Sequence, residues 1–207
     1  MGKIFCLMGK SSTGKDTIGK HLLKTMDLKN IVLYTTRPIR EGELEGREYY
    51  FVNNDEFKEL ETSGKVIEKR VYNTIHGDWT YATVDSNIDL ENNNYLVLNT
   101  LIGYEKLVNY YGKDTVIPLY IWVDLNTRID RAFTREEQEK NPKYREICRR
   151  FIKDEEDFKE ENLTRLEILE DNRFENDNLD RCIYQIEKKI KTELKNNQKT
   201  RKIGSIQ

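Results

Sequence analysis

Runs of apolar residues alternate with amphipathic segments along most of the chain. Residues 4–8 form a continuous apolar run that stops at Gly9, which predicts a strand buried on both faces. Over residues 16–24 the apolar positions take helical spacing, with Ile18 and Leu22 on one face. The change of period predicts a strand, a tight turn and a helix in direct succession.

The same reasoning predicts the other elements and the fold class. Strands are expected at residues 31–34, 49–52, 66–68 (with an extended stretch to 81), 95–98, 116–123 and 166–169. Helices are expected at residues 55–62, 103–111, 127–133, 144–162 and 179–194. Because strands and helices alternate, we predict an α/β fold with a parallel core sheet and right-handed crossovers.

The turn after the first strand has the Walker A form Gly9-x-x-x-x-Gly14-Lys15, and we call residues 9–15 the P-loop. Glycines let backbone N–H groups approach phosphate oxygens, the helix N-terminus favours an anion, and the lysine reaches the β- and γ-phosphates. We therefore predict an ATP site at Gly9, Ser11, Ser12, Thr13, Gly14, Lys15, Asp16 and Thr17.

The residue after the P-loop lysine departs from the usual pattern. A Ser or Thr hydroxyl that binds Mg²⁺ is expected there, and this chain has Asp16. Two interpretations stay open. Asp16 either binds Mg²⁺ through its carboxylate, directly or through water, or it caps the following helix while phosphates and water hold the metal.

Composition limits the classes of function. The chain has 207 residues, a net charge of -2 and a pI near 5.9, which gives no general attraction to nucleic acid or anionic membrane. Three cysteines without a CxxC pair and two histidines, His21 and His76, exclude the common zinc sites. The first apolar run is too short for a signal peptide or a membrane span. We expect a cytoplasmic protein, either a monomer or a homodimer.

A long polar loop, residues 37–47, follows the second predicted strand. Arg37, Arg40 and Tyr49 supply two forked cations and a phenol, a set suited to holding a monophosphate beside the P-loop. The residues alone therefore predict a phosphotransferase with a small phosphorylated acceptor.

This loop also carries a family resemblance. Residues 35–52 read TTRPIREGELEGREYYFV, which resembles T-T-R-x-x-R-x-G-E-x-x-G-x-D-Y-x-F-V of the guanylate kinases. The resemblance implies a three-layer P-loop kinase fold, in which an acceptor-binding domain and a lid join the core. It implies a guanylate kinase-like domain over residues 1–195, with a core of residues 1–34 and 85–195, an acceptor-binding insertion of residues 35–84, a lid of residues 131–149, and a polar tail of residues 196–207.

The resemblance further implies an activity and its residues. The activity is transfer of a phosphoryl group from ATP to GMP or dGMP with Mg²⁺. Lys15 and the lid arginines, Arg131, Arg135, and Arg149 or Arg150, are expected to stabilise charge on the transferred group. The acceptor is expected to be bound by the phosphate ligands Arg37, Arg40 and Tyr49, by the base-reading Glu68, and by Tyr81 and Thr83.

Several positions depart from the family. Leu33 stands where a base-contacting serine is expected, and Leu98 and Thr100 stand where the family has two aspartates. The family's Y-G-S/T aligns with residues 80–82, so Tyr81 and Thr83 serve only after a shift of one residue. Asp171-Asn172 has the reversed order of an adenine-contacting pair. Two alternatives stay open: a kinase for another phosphorylated acceptor, similar to ribose 1,5-bisphosphate phosphokinases, and a binding module with little catalysis.

Overall fold

The computed structural model describes residues 1–74 and 77–204 of the chain. In chain order the strands are β1 (Ile4–Gly9), β2 (Lys29–Asn30), β3 (Leu33–Thr35), β4 (Tyr49–Phe51), β5 (Val66–Thr74), β6 (Gly77–Val84), β7 (Tyr95–Leu98), β8 (Val116–Trp122) and β9 (Arg173–Glu175). The helices are α1 (Lys15–Thr25), α2 (Asn54–Thr62), α3 (Leu101–Tyr111), α4 (Leu125–Glu137), α5 (Tyr144–Asp157), α6 (Glu160–Arg165) and α7 (Leu179–Gly204).

The core is a five-stranded sheet in the order β2-β7-β1-β8-β9, with every pair parallel. The predicted parallel core sheet is confirmed. Strand β1 lies at its centre, so the P-loop begins in the middle of one edge of the sheet, where the carboxyl ends of the parallel strands meet. Ligands of open parallel sheets bind at this edge.

Side chains of β1 alternate between two apolar layers. Cys6 and Met8 pack with α3 and with Phe158 on one face, and Leu7 packs with α1 and α7 on the other face. Because both faces of β1 are covered, its residues are apolar without alternation, which explains the continuous run in the sequence. The sheet between two helical layers is the predicted three-layer arrangement.

A second sheet, in the order β4-β3-β6-β5, is formed by residues 33–84. The hairpin β5-β6 is antiparallel and contains an irregularity between Val66 and Glu68. This bulge places Glu68 opposite Thr83. Helix α2 packs on the sheet through Phe57, and it begins with a capping box between Asn53 and Glu56.

The strand predicted at residues 31–34 is wrong in its extent. Strand β2 pairs with β7 in the core sheet, whereas β3 pairs with β4 and β6 in the second sheet. Ile31 is buried in the core and Tyr34 packs in the second sheet, so one apolar run is shared between two sheets. A short apolar run has the same pattern whether it forms one strand or is divided between two sheets.

Two predictions in the last third of the chain are also wrong. The helix expected at residues 144–162 is interrupted, because Phe158 leaves the helical path and stacks on Tyr120 with ring centroids 5.5 Å apart. Residues 166–169 form a turn rather than a strand, and Ile168 fills the core from it. The strand that completes the core sheet is β9, in which Phe174 is the only apolar residue.

The lid segment predicted over residues 131–149 contains the end of α4, a connecting loop and the start of α5. Helix α4 continues to Glu137, beyond the end predicted for it at residue 133. Helix α7 continues through most of the predicted tail, to Gly204. His76 and residues 205–207 lie outside the described residues.

Candidate active site

The P-loop has no room for side chains at its two glycines. A Cβ on Gly9 would lie 2.5 Å from the carbonyl oxygen of Ile121, and one on Gly14 would lie 2.5 Å from Nδ2 of Asn176. Gly14 also has a φ of 87°, in the left-handed region that favours glycine. The Thr13 hydroxyl closes the turn by donating to the carbonyl of Lys10 at 2.8 Å. The turn is therefore shaped to bring backbone rather than side chains against an anion.

Lys15 and Asp16 begin helix α1 and line one cleft together. The N-cap residue is Gly14, and no side chain makes a capping hydrogen bond at this end of the helix. The capping alternative for Asp16 is therefore wrong in this structure. Asp16 is exposed, as is Thr17, and both lie in the first turn of the helix.

The cleft lies between the P-loop and the second sheet, with a volume of about 580 Å³. Residues from both sheets and from α5 contribute to its wall. They are Lys15, Asp16, Leu33, Tyr49, Arg70, Tyr72, Trp79, Tyr81, Leu98, Asn99, Thr100 and Arg150. The structure thus brings the P-loop lysine, two predicted acceptor residues and one predicted lid arginine to a single cavity.

Arg37 is held in place before any ligand binds. Its guanidinium makes a forked pair with Glu43, at 2.8 and 3.0 Å, and donates to the carbonyl of Pro38 at 2.8 Å. Its carbon Cζ lies 5.4 Å from the ring centre of Tyr49, and the side chain is only 3% exposed. Hydrogen bonds from the guanidinium to Glu43 raise the pKa of Arg37, so the side chain is a permanent, oriented cation.

The other predicted phosphate ligands differ in position. Tyr49 and Tyr81 line the cleft with ring centroids 5.5 Å apart, and burial raises the pKa of Tyr49, which keeps its phenol protonated as a donor. Arg40 lies on the exposed loop outside the cleft wall. Arg40 therefore joins the site only if the loop moves toward the cleft.

Glu68 lies at the buried end of the acceptor region and is 5% exposed. Its Oε1 accepts from the Thr83 hydroxyl at 3.0 Å and from Arg70 at 3.2 Å. Its Oε2 is buried without a hydrogen-bond partner among the described residues. A buried carboxylate oxygen without a donor carries a large desolvation cost, so this atom is suited to a donor that a ligand supplies.

The positions that depart from the family also meet here. Leu33 and Leu98 place apolar side chains on the cleft wall. The Thr100 hydroxyl accepts from the backbone N–H of Gly103 at 3.2 Å and so caps helix α3. Asn99, beside it, is buried and its Nδ2 has no partner within the described part of the chain.

The predicted lid arginines fall into different environments. Arg150 lines the cleft, and Arg131 donates to the backbone carbonyl of Asn176 at 2.9 Å, next to the P-loop. Arg149 pairs with Glu146 at 2.7 and 2.8 Å, and Arg135 is exposed on α4 outside the cleft wall. The structure therefore brings Arg150 and Arg131 to the site and leaves Arg135 and Arg149 on the surface.

Two carboxylates of α5 contact the P-loop, and sequence reasoning did not find them. Asp154 accepts from the backbone N–H of Ser11 at 2.6 Å. Glu155 accepts from Lys10 at 2.6 Å and from the buried Arg128 at 2.5 Å. Burial acts to raise the pKa of Glu155, but hydrogen bonds from Lys10 and Arg128 outweigh it and lower that pKa. Helix α5 thus places anions where the P-loop offers donors.

We expect Asp154→Asn to raise the affinity for a nucleoside triphosphate by roughly fivefold. The carboxylate competes with a phosphate oxygen for the Ser11 N–H and repels the triphosphate, and the amide removes that charge. Calorimetric titration with a non-hydrolysable ATP analogue measures the change. Asp157→Asn, on the same helix but paired with Lys153, is the matched control. Equal affinities in both variants would mean that the Asp154 contact does not oppose binding.

Asn176 is a third residue that the sequence prediction missed. It follows β9, is 2% exposed, and its Nδ2 donates to the carbonyl of Thr13 at 2.8 Å. Asp171 and Asn172, which the sequence suggested for an adenine contact, lie instead in the short turn before β9. The pair Asn176-Asp177 has the unreversed Asn-Asp order, and this order was the signal that could have identified it.

Among the described residues, no three His, Cys, Asp or Glu side chains cluster as a metal site. The described helices also contain no segment long and apolar enough to cross a membrane. The Asp16 carboxylate, exposed in the first turn of α1, would be one ligand of a cation whose other ligands came from phosphates and water. This donor set suits Mg²⁺, which keeps several waters and takes one or two carboxylates beside a substrate phosphate.

Comparison with known proteins gives a consistent family. The sequence profile of the family "Guanylate kinase" matches residues 1–193. A guanylate kinase from Mesomycoplasma hyopneumoniae (strain 7448) is 30% identical over 94% of this chain and 96% of its own length. A guanylate kinase from Porphyromonas gingivalis is 28% identical over 92% of this chain and 97% of its own length.

A solved structure supports the fold. The crystal structure of guanylate kinase from Anaplasma phagocytophilum superposes with a TM-score of 0.64 and 19% sequence identity. The match covers 93% of this chain and 86% of that one. At this identity the match supports the three-layer fold and leaves the site to be argued from its own residues.

Proposed function

The chain belongs to the guanylate kinase family, and from this premise we propose that it transfers the γ-phosphoryl group of ATP to GMP or dGMP. The products are ADP and GDP or dGDP. One observation supports this choice of acceptor most strongly: the buried Glu68 has one carboxylate oxygen without a partner among the described residues, and its hydrogen-bond partner Arg70 lines the cleft that holds Lys15. Guanine offers two adjacent donors, N1–H and the 2-amino group, to such an oxygen.

The proposed mechanism has no covalent intermediate on the protein. The P-loop backbone and Lys15 hold the β- and γ-phosphates, while Arg37 and Tyr49 hold the acceptor phosphate. Arg150 faces the same cleft from α5, so closure of that helix brings a further cation to the transferred group. Arg131, through the backbone of Asn176, supports the P-loop on its other side.

The alternatives find less support in the site. A sugar bisphosphate has no base to engage the Glu68 oxygen. A binding module has no need for Lys15 and Arg150 at one cleft. We place the reaction in the cytoplasm, in keeping with the free thiols of Cys6, Cys148 and Cys182.

A coupled assay of ADP release with each nucleoside monophosphate and with ribose 1,5-bisphosphate tests the proposal. We expect turnover with GMP and dGMP at least a hundredfold above that with AMP, CMP or UMP. Turnover with ribose 1,5-bisphosphate alone would replace this function with the sugar phosphate kinase. GMP binding without ADP release would replace it with the binding module.

We expect Asp16→Ala to raise the Mg²⁺ concentration needed for half-maximal activity by roughly tenfold, because a carboxylate near the phosphates is lost. Bound Mg²⁺ neutralises phosphate charge and orients the γ-phosphate. Asp16→Ser, which restores the hydroxyl of the common motif, is expected to stay within threefold of the wild type. An unchanged Mg²⁺ requirement in Asp16→Ala would show that this side chain is not a ligand.

A further inference from the structure

Arg70 lies in the cleft, although the sequence analysis assigned it no role. It follows Glu68 by two residues on β5, and in a strand such residues project from the same face. Across the hairpin Arg70 is opposite Tyr81, as Glu68 is opposite Thr83. Arg70 and Tyr81 both line the cleft, so this face of the hairpin presents Arg70 beside the base-reading carboxylate.

The Arg70 guanidinium is confined but incompletely hydrogen-bonded. Its side chain is 19% exposed, and its two terminal nitrogens donate to Glu68 at 3.2 Å and to the Thr100 hydroxyl at 3.4 Å. The Nε atom is buried without a partner among the described residues. A guanidinium has five N–H donors, so the two long bonds leave donor capacity for a ligand in the cleft.

The other side chains at this end of the cleft supply no cation beside Glu68: Asn99, whose Nδ2 has no partner among the described residues, is neutral. Leu33 and Leu98 have no polar atoms. The Thr83 hydroxyl already donates to Glu68, and the Thr100 hydroxyl already caps α3. Arg70 is therefore the cationic donor that lies next to the Glu68 carboxylate.

This pair of groups matches the edge of guanine. Guanine presents the O6 acceptor next to its N1–H and 2-amino donors. Adenine presents an amino donor at position 6, which would meet the cation and gain no acceptor bond from it. A donor beside a carboxylate thus favours a 6-oxopurine over a 6-aminopurine.

We propose that Arg70 is a specificity-determining residue that donates a hydrogen bond to O6 of the acceptor base while Glu68 accepts from its donors. This inference rests on the proposed GMP kinase function. Contacts to Glu68 and Thr100 hold the Arg70 guanidinium at the base end of the cleft. Arg37, in contrast, is paired with Glu43 in the polar loop of residues 37–47. Arg70 therefore acts on the base and not on the acceptor phosphate.

The test compares GMP with 2-aminopurine riboside 5′-monophosphate, which keeps the 2-amino group and lacks both O6 and the N1 proton. Wild-type enzyme is expected to prefer GMP strongly in kcat/KM. Arg70→Met is expected to lower kcat/KM for GMP by roughly 50-fold and to change that for the 2-aminopurine nucleotide by less than threefold. Arg70→Lys, which keeps the charge but loses the fork, is expected to lose roughly tenfold with GMP only.

Lys69→Met is the matched control, because Lys69 is the adjacent residue on β5 and its exposed side chain pairs with Glu61 on α2. Equal losses for the two nucleotides in both Arg70 variants would overturn the inference, since they would indicate a phosphate contact or a purely structural role. Absence of GMP turnover in the wild type would instead overturn the proposed function. In that case calorimetric affinities of the same two nucleotides for wild type and Arg70→Lys test the base contact by itself.

Discussion

Replacing Lys15 with methionine is expected to lower kcat/KM for GMP-dependent ADP formation by about a thousandfold or more. Lys15 is the P-loop cation at the cleft, where it can stabilise the negative charge that develops on the phosphate oxygens during transfer. A loss of that size corresponds to about 4 kcal/mol of transition-state stabilisation. The coupled ADP assay, with GMP as acceptor, measures it.

The fold is expected to tolerate this change. The Lys15 side chain makes no hydrogen bond or ion pair with another described residue, so methionine removes no such contact. Lys24→Met is the matched control, since Lys24 is exposed in the last turn of the same helix. If Lys15→Met keeps more than a tenth of the wild-type rate while Lys24→Met is normal, the assigned role of Lys15 is wrong.

The second large effect is expected for Glu68→Gln. The glutamine has the same shape, but its amide nitrogen faces the guanine donors, and Arg70 loses its anionic partner. When a site binds polar groups of a substrate and one hydrogen-bond partner is mismatched, kcat/KM falls by several orders of magnitude. We expect kcat/KM for GMP to fall by roughly a thousandfold, mainly through KM, while KM for ATP changes little. Steady-state kinetics with each substrate varied in turn measures both.

Glu59→Gln on α2 provides the control for this substitution, because Glu59 is an exposed glutamate of the same sheet-and-helix unit. A stability comparison by thermal unfolding separates loss of binding from loss of fold. An unchanged KM for GMP in a folded Glu68→Gln enzyme would place base recognition elsewhere and remove the main support for GMP as acceptor.

Local patterns predicted the P-loop and the central strand well. The change from a continuous apolar run to helical spacing at Gly9 depends on residues that are neighbours in sequence, and the structure has β1, the turn and α1 in that order. Glu68 and Thr83, a buried pair on the hairpin, were also predicted from the sequence as acceptor-binding residues. The structure joins the two residues by a hydrogen bond across the hairpin.

Contacts between distant segments were not predictable in this way. Asp154 reaches Ser11, and Asn176 reaches Thr13, across more than a hundred residues of chain. Asp154 lies in no pattern that distinguishes it from a surface polar residue, and Asn176 has only the Asn-Asp order as a signal. Their roles follow from the packing of α5 and β9 beside the P-loop, which the wrong assignments at residues 144–162 and 166–169 obscured.

Arg70 is an intermediate case. Strand periodicity placed it on the face of Glu68, so its position could have been read from the sequence once β5 was recognised as extended. Its contact with Thr100 could not, because Thr100 belongs to the core sheet edge and Arg70 to the second sheet. The position of the Arg70 cation in the cleft thus depends on contacts between two sheets, and these contacts form only in the folded chain.

The central claim is that a phosphoryl group passes directly from ATP to GMP. Phosphorus NMR of wild-type enzyme mixed with ATP, GMP and Mg²⁺ follows all four nucleotides at once. The account predicts that GDP and ADP appear in equal amounts, with no free phosphate, and that Lys15→Met abolishes both signals over the same time. ADP accompanied by inorganic phosphate and no GDP, or no reaction with GMP at all, would contradict it.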